Sequence, residues 1–301
     1  MYDGHMKNTH LEHPEDSILC GKEATQEVIN FLREVGSTIS VKYDGAPAII
    51  FGTNPENGKF FVGTKSVFNK VKVKINYTHY DIEENHKNNP NVASILHVCL
   101  DNLPRIDEIW QGDFIGFGGN DFYQPNTIEY LFDHVIDEAM VFVAHTKYVG
   151  NSMKELSAQF GAIFEHDCGQ SKVKFLNPHA TLASRSRRID LLLSVASLVS
   201  NFVKFPEKKE VDQTKIYINA CIRRNIKIDC IDGNLLLLFN LITQVKHLLM
   251  EGIHPFENVQ CYIGNQETDH EGYVMHNQFG TFKLVNRRVF SYNNFNLTKN
   301  W

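Results

Sequence analysis

Strand-like sequence lies on both sides of a long, leucine-rich helical stretch, and this order constrains the fold more than any other feature. Residues 38–51 (TISVKYDGAPAIIF), 59–66 (KFFVGTKS), 109–117 and 139–146 (AMVFVAHT) are rich in β-branched and aromatic residues. Residues 186–205, 212–224 and 234–251 then carry apolar residues at helical spacing, most strongly in LLLSVASLVSNFV and LLLLFNLITQVKHLLM. After Gly252 the pattern is β-like again, in VQCYIG, EGYVMH and GTFKLV. The expected class is therefore α+β, with antiparallel sheets and helices. Residues 1–179 form a core, 180–255 an inserted helical subdomain, and 256–301 return to the core.

Local signals fill in this outline. KEATQEVINFLREV (22–35) has helical spacing and meets Gly36, a stop signal. Asp44-Gly45 reads as a tight turn between two strands, and TNPENG (53–58) as a second turn, which together predict an antiparallel meander. Residues 79–91 read as a polar loop, 92–103 as a helix, and 109–117 as a strand ending in Gly118-Gly119. The connection FPEKKE (205–210) separates two of the helices.

Composition excludes several classes. The 301-residue chain is 43% hydrophobic and 22% charged, ordinary for a globular protein with a substantial core. A net charge of −5 argues against a protein that coats nucleic acid non-specifically, though a local basic groove is compatible with it. No run of about 18 apolar residues is present, so no membrane span is expected. MYDGHMKNTH lacks a secretory apolar segment. The six cysteines (Cys20, Cys99, Cys168, Cys221, Cys230, Cys261) form no CxxC pair, which argues against structural zinc and disulfides and for a reducing cytoplasm. His5, His10 and His13 read as surface residues, and His145, His166 and His179 as structural ones.

The sharpest chemical signal is Lys42-Tyr43-Asp44-Gly45 between two apolar strands. A lysine at the end of a buried strand is held in place and partly desolvated. Desolvation and nearby cations favour the neutral amine, which is a nucleophile. Other segments offer matching groups: Lys65 and Ser66 in FVGTKS, Asp113 in QGDF, Glu271 in EGYV and Lys283 in FKLV. Lys283 follows Glu271 by twelve residues, a spacing suited to a hairpin that places both in one pocket.

This ordered set resembles the covalent nucleotidyltransferase superfamily, the ATP-dependent DNA and RNA ligases and messenger RNA capping enzymes. KYDG matches motif I, GTKS motif Ia, QGDF motif III, EGYV motif IV and FKLV motif V. Phage-type RNA ligases are the nearest in pattern, and HLEHPED with KYDGAPAIIFG is also similar to an uncharacterised protein of large tailed bacteriophages. The resemblance covers roughly 36–150 and 258–290 and leaves the helical stretch unexplained. It implies a ligase-type core without a C-terminal OB domain.

The resemblance further implies an ATP-dependent polynucleotide ligase of the cytoplasm, the host cytoplasm if phage-encoded. Lys42 would attack the α-phosphate of ATP, releasing pyrophosphate and leaving a lysyl-adenylate. AMP would then pass to a nucleic-acid 5′-phosphate, and a 3′-hydroxyl would seal the strand, with RNA the expected partner. Lys283 would neutralise the α-phosphate, with Lys65 as helper, and Asp44 would orient the nucleophile. Asp113 and Glu271 would hold Mg2+, replaceable by Mn2+, or the ribose. Phe142, either core or a purine platform by its position, takes the platform role. Arg185, Arg187, Arg188, Arg287 and Arg288 would bind the phosphate backbone, although the first three also fit a solvated helix face. A GTP-dependent capping-type enzyme and a binding module without catalysis are the alternatives. The sequence departs from the family pattern in two places: Asp113 stands where Glu is usual, and Val285 where motif V usually has a second lysine.

Overall fold

The structure, a computed structural model, describes residues 11–165, 172–229, 231–257, 259–264 and 266–290. His5, His10, His166, Cys168 and Cys230 lie outside the described residues. In chain order the elements are α1 (Pro14–Ser17), α2 (Lys22–Arg33), β1 (Thr38–Lys42), β2 (Ala48–Thr53), β3 (Phe60–Thr64), α3 (His79–His86), α4 (Pro90–Asn102), β4 (Ile109–Phe117), β5 (Phe122–Tyr123), β6 (Glu129–Leu131), β7 (Met140–Val149), β8 (Ser157–Gln159), β9 (Val173–Phe175), β10 (His179–Leu182), α5 (Arg187–Val199), α6 (Val211–Arg223), α7 (Gly233–Met250), β11 (Ile253–Pro255), β12 (Gln260–Ile263), β13 (Gln266–Thr268), β14 (Gly272–Asn277) and β15 (Gly280–Val285). The chain is α+β. Its sheets are antiparallel apart from β9, which runs parallel to β7.

The chain divides into two compact units. The first takes Tyr43–Pro178 and Glu257–Asp269; the second takes Leu11–Lys42, His179–Phe256 and the chain from His270 onward. The leucine-rich helices group with the second unit, together with β1, β14 and β15.

In the first unit, a sheet of order β3-β2-β4-β7-β8 carries β9 alongside β7, and a smaller sheet has order β13-β12-β6-β5. Phe51, Trp110, Phe114 and Phe142 fill the core against Leu96 and Leu100 of α4. Gly112 is needed for this packing. A Cβ there would stand 2.3 Å from Phe142 Cε1 and from the Val143 carbonyl oxygen. Residues 79–86, expected as loop, form α3. Their polarity hid the helix, but Thr78 and Asp81 make a reciprocal capping box at its start.

In the second unit, five strands run in the order β11-β10-β1-β14-β15. One face is apolar. Ile39, Val41, Tyr273, Met275, Phe282 and Leu284 are buried there, and Phe282 meets Phe31 of α2 edge-on at 4.7 Å. α7 begins where the Asp232 side chain accepts from the Asn234 and Leu235 amides, both at 3.0 Å.

The expected hairpin at Asp44-Gly45 is corrected. β1 pairs with β10 and β14, and β2 pairs with β3 and β4, so Asp44-Gly45 passes the chain from one sheet to another. Ala46-Pro47 is a cis peptide, and the Ala46 amide bonds the Phe114 carbonyl at 2.9 Å, which ties this passage to β4 instead of to a partner strand.

Buried charges knit the second unit. Glu15 accepts from Lys246 Nζ of α7 at 2.6 Å and from Arg287 Nη1 at 3.2 Å. Arg287 also donates to Asp16 at 2.8 Å and to Asn219 of α6 at 2.6 Å. Glu15 and Lys246 are each only 1% exposed. Burial opposes ionisation of Glu15, but Lys246, His13 and Arg287 outweigh it and hold its carboxyl down to about 2. A carboxylate whose pKa falls on folding adds stability above its ordinary value of 4.5 and loses it as pH drops toward 2. Glu15→Gln leaves Lys246 a buried, uncompensated ammonium, and urea unfolding at pH 7 is expected to show a loss of about 3–5 kcal/mol. The gap from wild type should narrow at pH 3; an equal gap at both values would contradict an ionised Glu15.

Candidate functional site

The second unit carries the lysine site on the polar face of its sheet. Paired residues of adjacent strands share a face. Lys42 pairs with Gly272, which pairs with Val285; Ser40 pairs with Val274, which pairs with Lys283. Lys42 and Lys283 therefore stand on one face, on strands flanking β14. Glu271 directly precedes β14, and its carboxylate accepts from Lys42 Nζ. Gly272 has φ +157°, and a Cβ there would lie 2.0 Å from the Leu284 carbonyl oxygen. Only glycine lets β14 and β15 close at this point, beside Glu271.

The three charged groups differ in exposure. The Lys42 side chain is 34% exposed and that of Glu271 10%. The nucleophile candidate thus reaches solvent while its partner is largely enclosed. Burial first, and then the charge of Lys42, hold Lys283 below the ordinary lysine range, with Asp16 pulling the other way. Its backbone amide donates to the Glu12 carbonyl at 3.1 Å. His13 is also part of this environment and is not the surface residue expected. Burial lowers its pKa well below 6.5, and Arg287, Lys246 and Lys283 lower it further against the pull of Glu15. Its Nδ1 is buried with no hydrogen-bond partner among the described residues.

The first unit holds the other sequence-predicted residues. Asp113 of β4 has a side chain 20% exposed, and His145 Nε2 lies 3.5 Å from its Oδ2. The pairing of β4 with β7 slips between Gln111 and Gly112, which leaves His145 as the extra residue of a bulge. His145 Nδ1 lies 2.8 Å from the Thr146 hydroxyl. This histidine, read as structural from sequence, is the polar neighbour of Asp113. Gly45 backs onto Asp113 so closely that a Cβ would stand 2.6 Å from the Asp113 Cβ.

Three expected roles are corrected. The task of Asp44 lies within its own unit. Its carboxylate accepts from Asn126 Nδ2 at 2.8 Å and from the Thr127 and Ile128 amides at 2.9 and 3.2 Å, so it organises the 126–128 segment. Phe142 is fully buried and packs edge-on against Phe51 and Phe175; it is core, because alternation along β7 turns it away from the face of Asp113. Arg287 is 4% exposed and committed to Glu15, Asp16 and Asn219, so it is not available to a phosphate backbone. Arg185 is mostly engaged, with the Leu32 carbonyl at 3.1 Å and Asp190 at 3.0 Å. Arg187, Arg188 and Arg288 are exposed, as is Lys65, which follows β3 in a short 3-10 turn.

Among the described residues, no group of three or more His, Cys, Asp or Glu side chains is placed to hold a metal ion. No described helix is long and apolar enough to cross a membrane. Cys99, Cys221 and Cys261 are buried and Cys20 is exposed.

The architecture is thus an α+β chain with two lysines on one sheet face and a carboxylate bonded to one of them. By comparison with known families, the chain belongs to a family of unknown function, DUF6267, whose pattern matches residues 8–233 and 232–299. No curated protein matches the chain. No solved structure matches it.

The corrected role of Asp44 is testable. Asp44→Ala leaves two amides and an amide side chain without their acceptor, and unfolding by urea is expected to show a loss of about 1–3 kcal/mol. Wild-type stability in this variant would contradict the structural assignment.

Proposed function

We propose that the chain is an ATP-dependent polynucleotide ligase that works through a lysyl-AMP intermediate on Lys42 and acts on RNA ends. One observation carries the reading: Lys42 and Lys283, more than two hundred residues apart in sequence, stand on one face of one sheet, and Glu271 bonds the Lys42 amine. Their types and order are those of a covalent nucleotidyltransferase, and the resemblance of KYDG, EGYV and FKLV rests on the same three residues.

Each group has a physical task in this reaction. Lys42 Nζ, as the neutral amine, attacks the α-phosphorus; a P–N bond forms, the bond to the bridging oxygen breaks, pyrophosphate leaves and the amine gives up one proton to solvent. Glu271 holds the amine in position before attack. Lys283 faces the same site as a cation, where it neutralises charge on the α-phosphate in the transition state. A single enclosed carboxylate beside two lysines fits magnesium, which is commonly held by one or two carboxylates and substrate phosphates instead of a full protein cage. Glu271 is the residue that would hold it, and the ion would supply neutralisation of phosphate charge. Within the first unit, taken by itself, Asp113 lies beside His145 and Lys65 is an exposed cation. Arg187, Arg188 and Arg288 remain as exposed groups for the nucleic-acid backbone.

A nucleotide- or nucleic-acid-binding module without catalysis is the second reading. It is favoured by Val285 at the second motif V position and by the burial of Phe142.

A sealing assay separates the two. Nicked RNA and nicked DNA with 5′-phosphate and 3′-hydroxyl ends, incubated with ATP and Mg2+, should be joined by the wild type, RNA faster than DNA. Lys42→Ala should abolish joining, and Lys283→Ala should slow it by about a hundredfold or more, as expected when one stabilising charge is removed. Binding of both nicked duplexes without joining would favour the second reading.

A further inference from the structure

In the first unit, α3 and α4 bring four polar side chains together in a crossed arrangement. His79 and Glu83 are four residues apart on α3, and His97 and Asp101 four apart on α4, so each pair shares one helix face. The pairs bond crosswise. His79 Nε2 lies 3.0 Å from Asp101 Oδ1, and His97 Nε2 lies 2.7 Å from Glu83 Oε1. The two Nδ1 atoms face each other at 2.6 Å, with ring centroids 4.8 Å apart and planes at 27°.

The chemistry of these contacts restricts what lies between the rings. An ionised carboxylate only accepts, so each Nε2 carries its hydrogen. Each neutral ring then presents a lone pair at Nδ1, and two lone pairs at 2.6 Å repel. A cation between them removes the repulsion. A shared proton does this at the observed spacing. A metal ion does it if the rings part slightly, and a histidine whose other nitrogen donates to a carboxylate is the usual form of a metal-ligating histidine.

We propose that His79 and His97 form a two-histidine site, bound through both Nδ1 atoms, for a late first-row transition-metal ion of the zinc, nickel or copper class. Asp101 and Glu83 are its positioning residues. Because the described residues offer no group of three or more protein donors, water completes the coordination. Imidazole selects these metals over magnesium and calcium. Metal–nitrogen bonds of about 2.0–2.1 Å at a tetrahedral angle need the two nitrogens roughly 3.3 Å apart. The rings must therefore separate a little. The His79 side chain is 54% exposed and sits at the first position of α3, so it can move without disturbing the core. On binding, two nitrogen–metal bonds form and the shared proton leaves to solvent. The site is independent of the lysine cluster and of the activity proposed for it.

Calorimetric titration of the full chain with zinc chloride and with nickel chloride tests the assignment, using His79→Gln, His97→Gln and Asp101→Asn. All three positions are at the surface or partly exposed, and circular dichroism confirms the fold of each variant. The other histidines contribute equally throughout, so the comparison isolates this pair. The wild type is expected to bind one equivalent more than either glutamine variant, or to bind that equivalent at least tenfold more tightly, with a proton released that is seen by comparing two buffers. Asp101→Asn should weaken that equivalent by about ten- to a hundredfold. Equal stoichiometry and affinity in wild type and both glutamine variants would overturn the proposal, as would a loss in only one of them.

Discussion

Antiparallel pairing of β1 with β14, and of β14 with β15, is the constraint on which the lysine site depends. Strand pairing makes side chains of partner residues share a face, and a slip of one residue would turn all of them over. In the observed register Lys42 stands opposite Gly272 and Lys283 opposite Val274. Shifting β15 by one residue would send Lys283 into the apolar layer with Ile39, Val41 and Met275 and turn Phe282 and Leu284 out to the polar face. The register is defended by that apolar layer on one side. On the other it is defended by Gly272, where only a residue without Cβ lets the Leu284 carbonyl approach.

The buried charges of Glu15, Asp16, Lys246 and Arg287 have a different task. Ion pairs of this kind rarely add net stability over an apolar replacement, because desolvation offsets the attraction. What they do here is specify which parts meet. Glu15 and Asp16 of α1 engage α7 through Lys246, and α6 and the turn after β15 through Arg287. The leucine-rich helices are therefore tied to the strand that carries Lys283, and the Glu12 carbonyl bonds that lysine's own amide. This explains residues 12–16 of the HLEHPED segment: the Glu12 carbonyl bonds the site strand, His13 lies half-buried among the cations, and Glu15 and Asp16 anchor the helices.

Much of this was legible in sequence, and the parts that were not have identifiable causes. The strand at 109–117 and the three leucine-rich helices were visible because strong periodicity and β-branched runs mark them directly. α3 was missed because its surface is polar and its signal is a cap, not an apolar stripe. The Asp44-Gly45 pair reads locally as a hairpin turn, and only long-range pairing decides that β1 and β2 enter different sheets. The same limit governed the site. Lys42, Glu271 and Lys283 could be chosen by residue type and order. The roles of Asp44, Phe142 and Arg287 were set by burial, which residue type does not report. His145 was invisible because a single bulge in β7 aims it, and a bulge leaves no mark in the sequence around it.

The central claim is that Lys42 is a nucleophile toward a nucleoside triphosphate, and intact-protein mass measured before and after incubation with ATP and Mg2+ tests it most directly. The account predicts a gain of one AMP per chain, mapped by peptide analysis to Lys42. No adduct with ATP or GTP, with Mn2+ also tried, or an adduct on another residue, would contradict it.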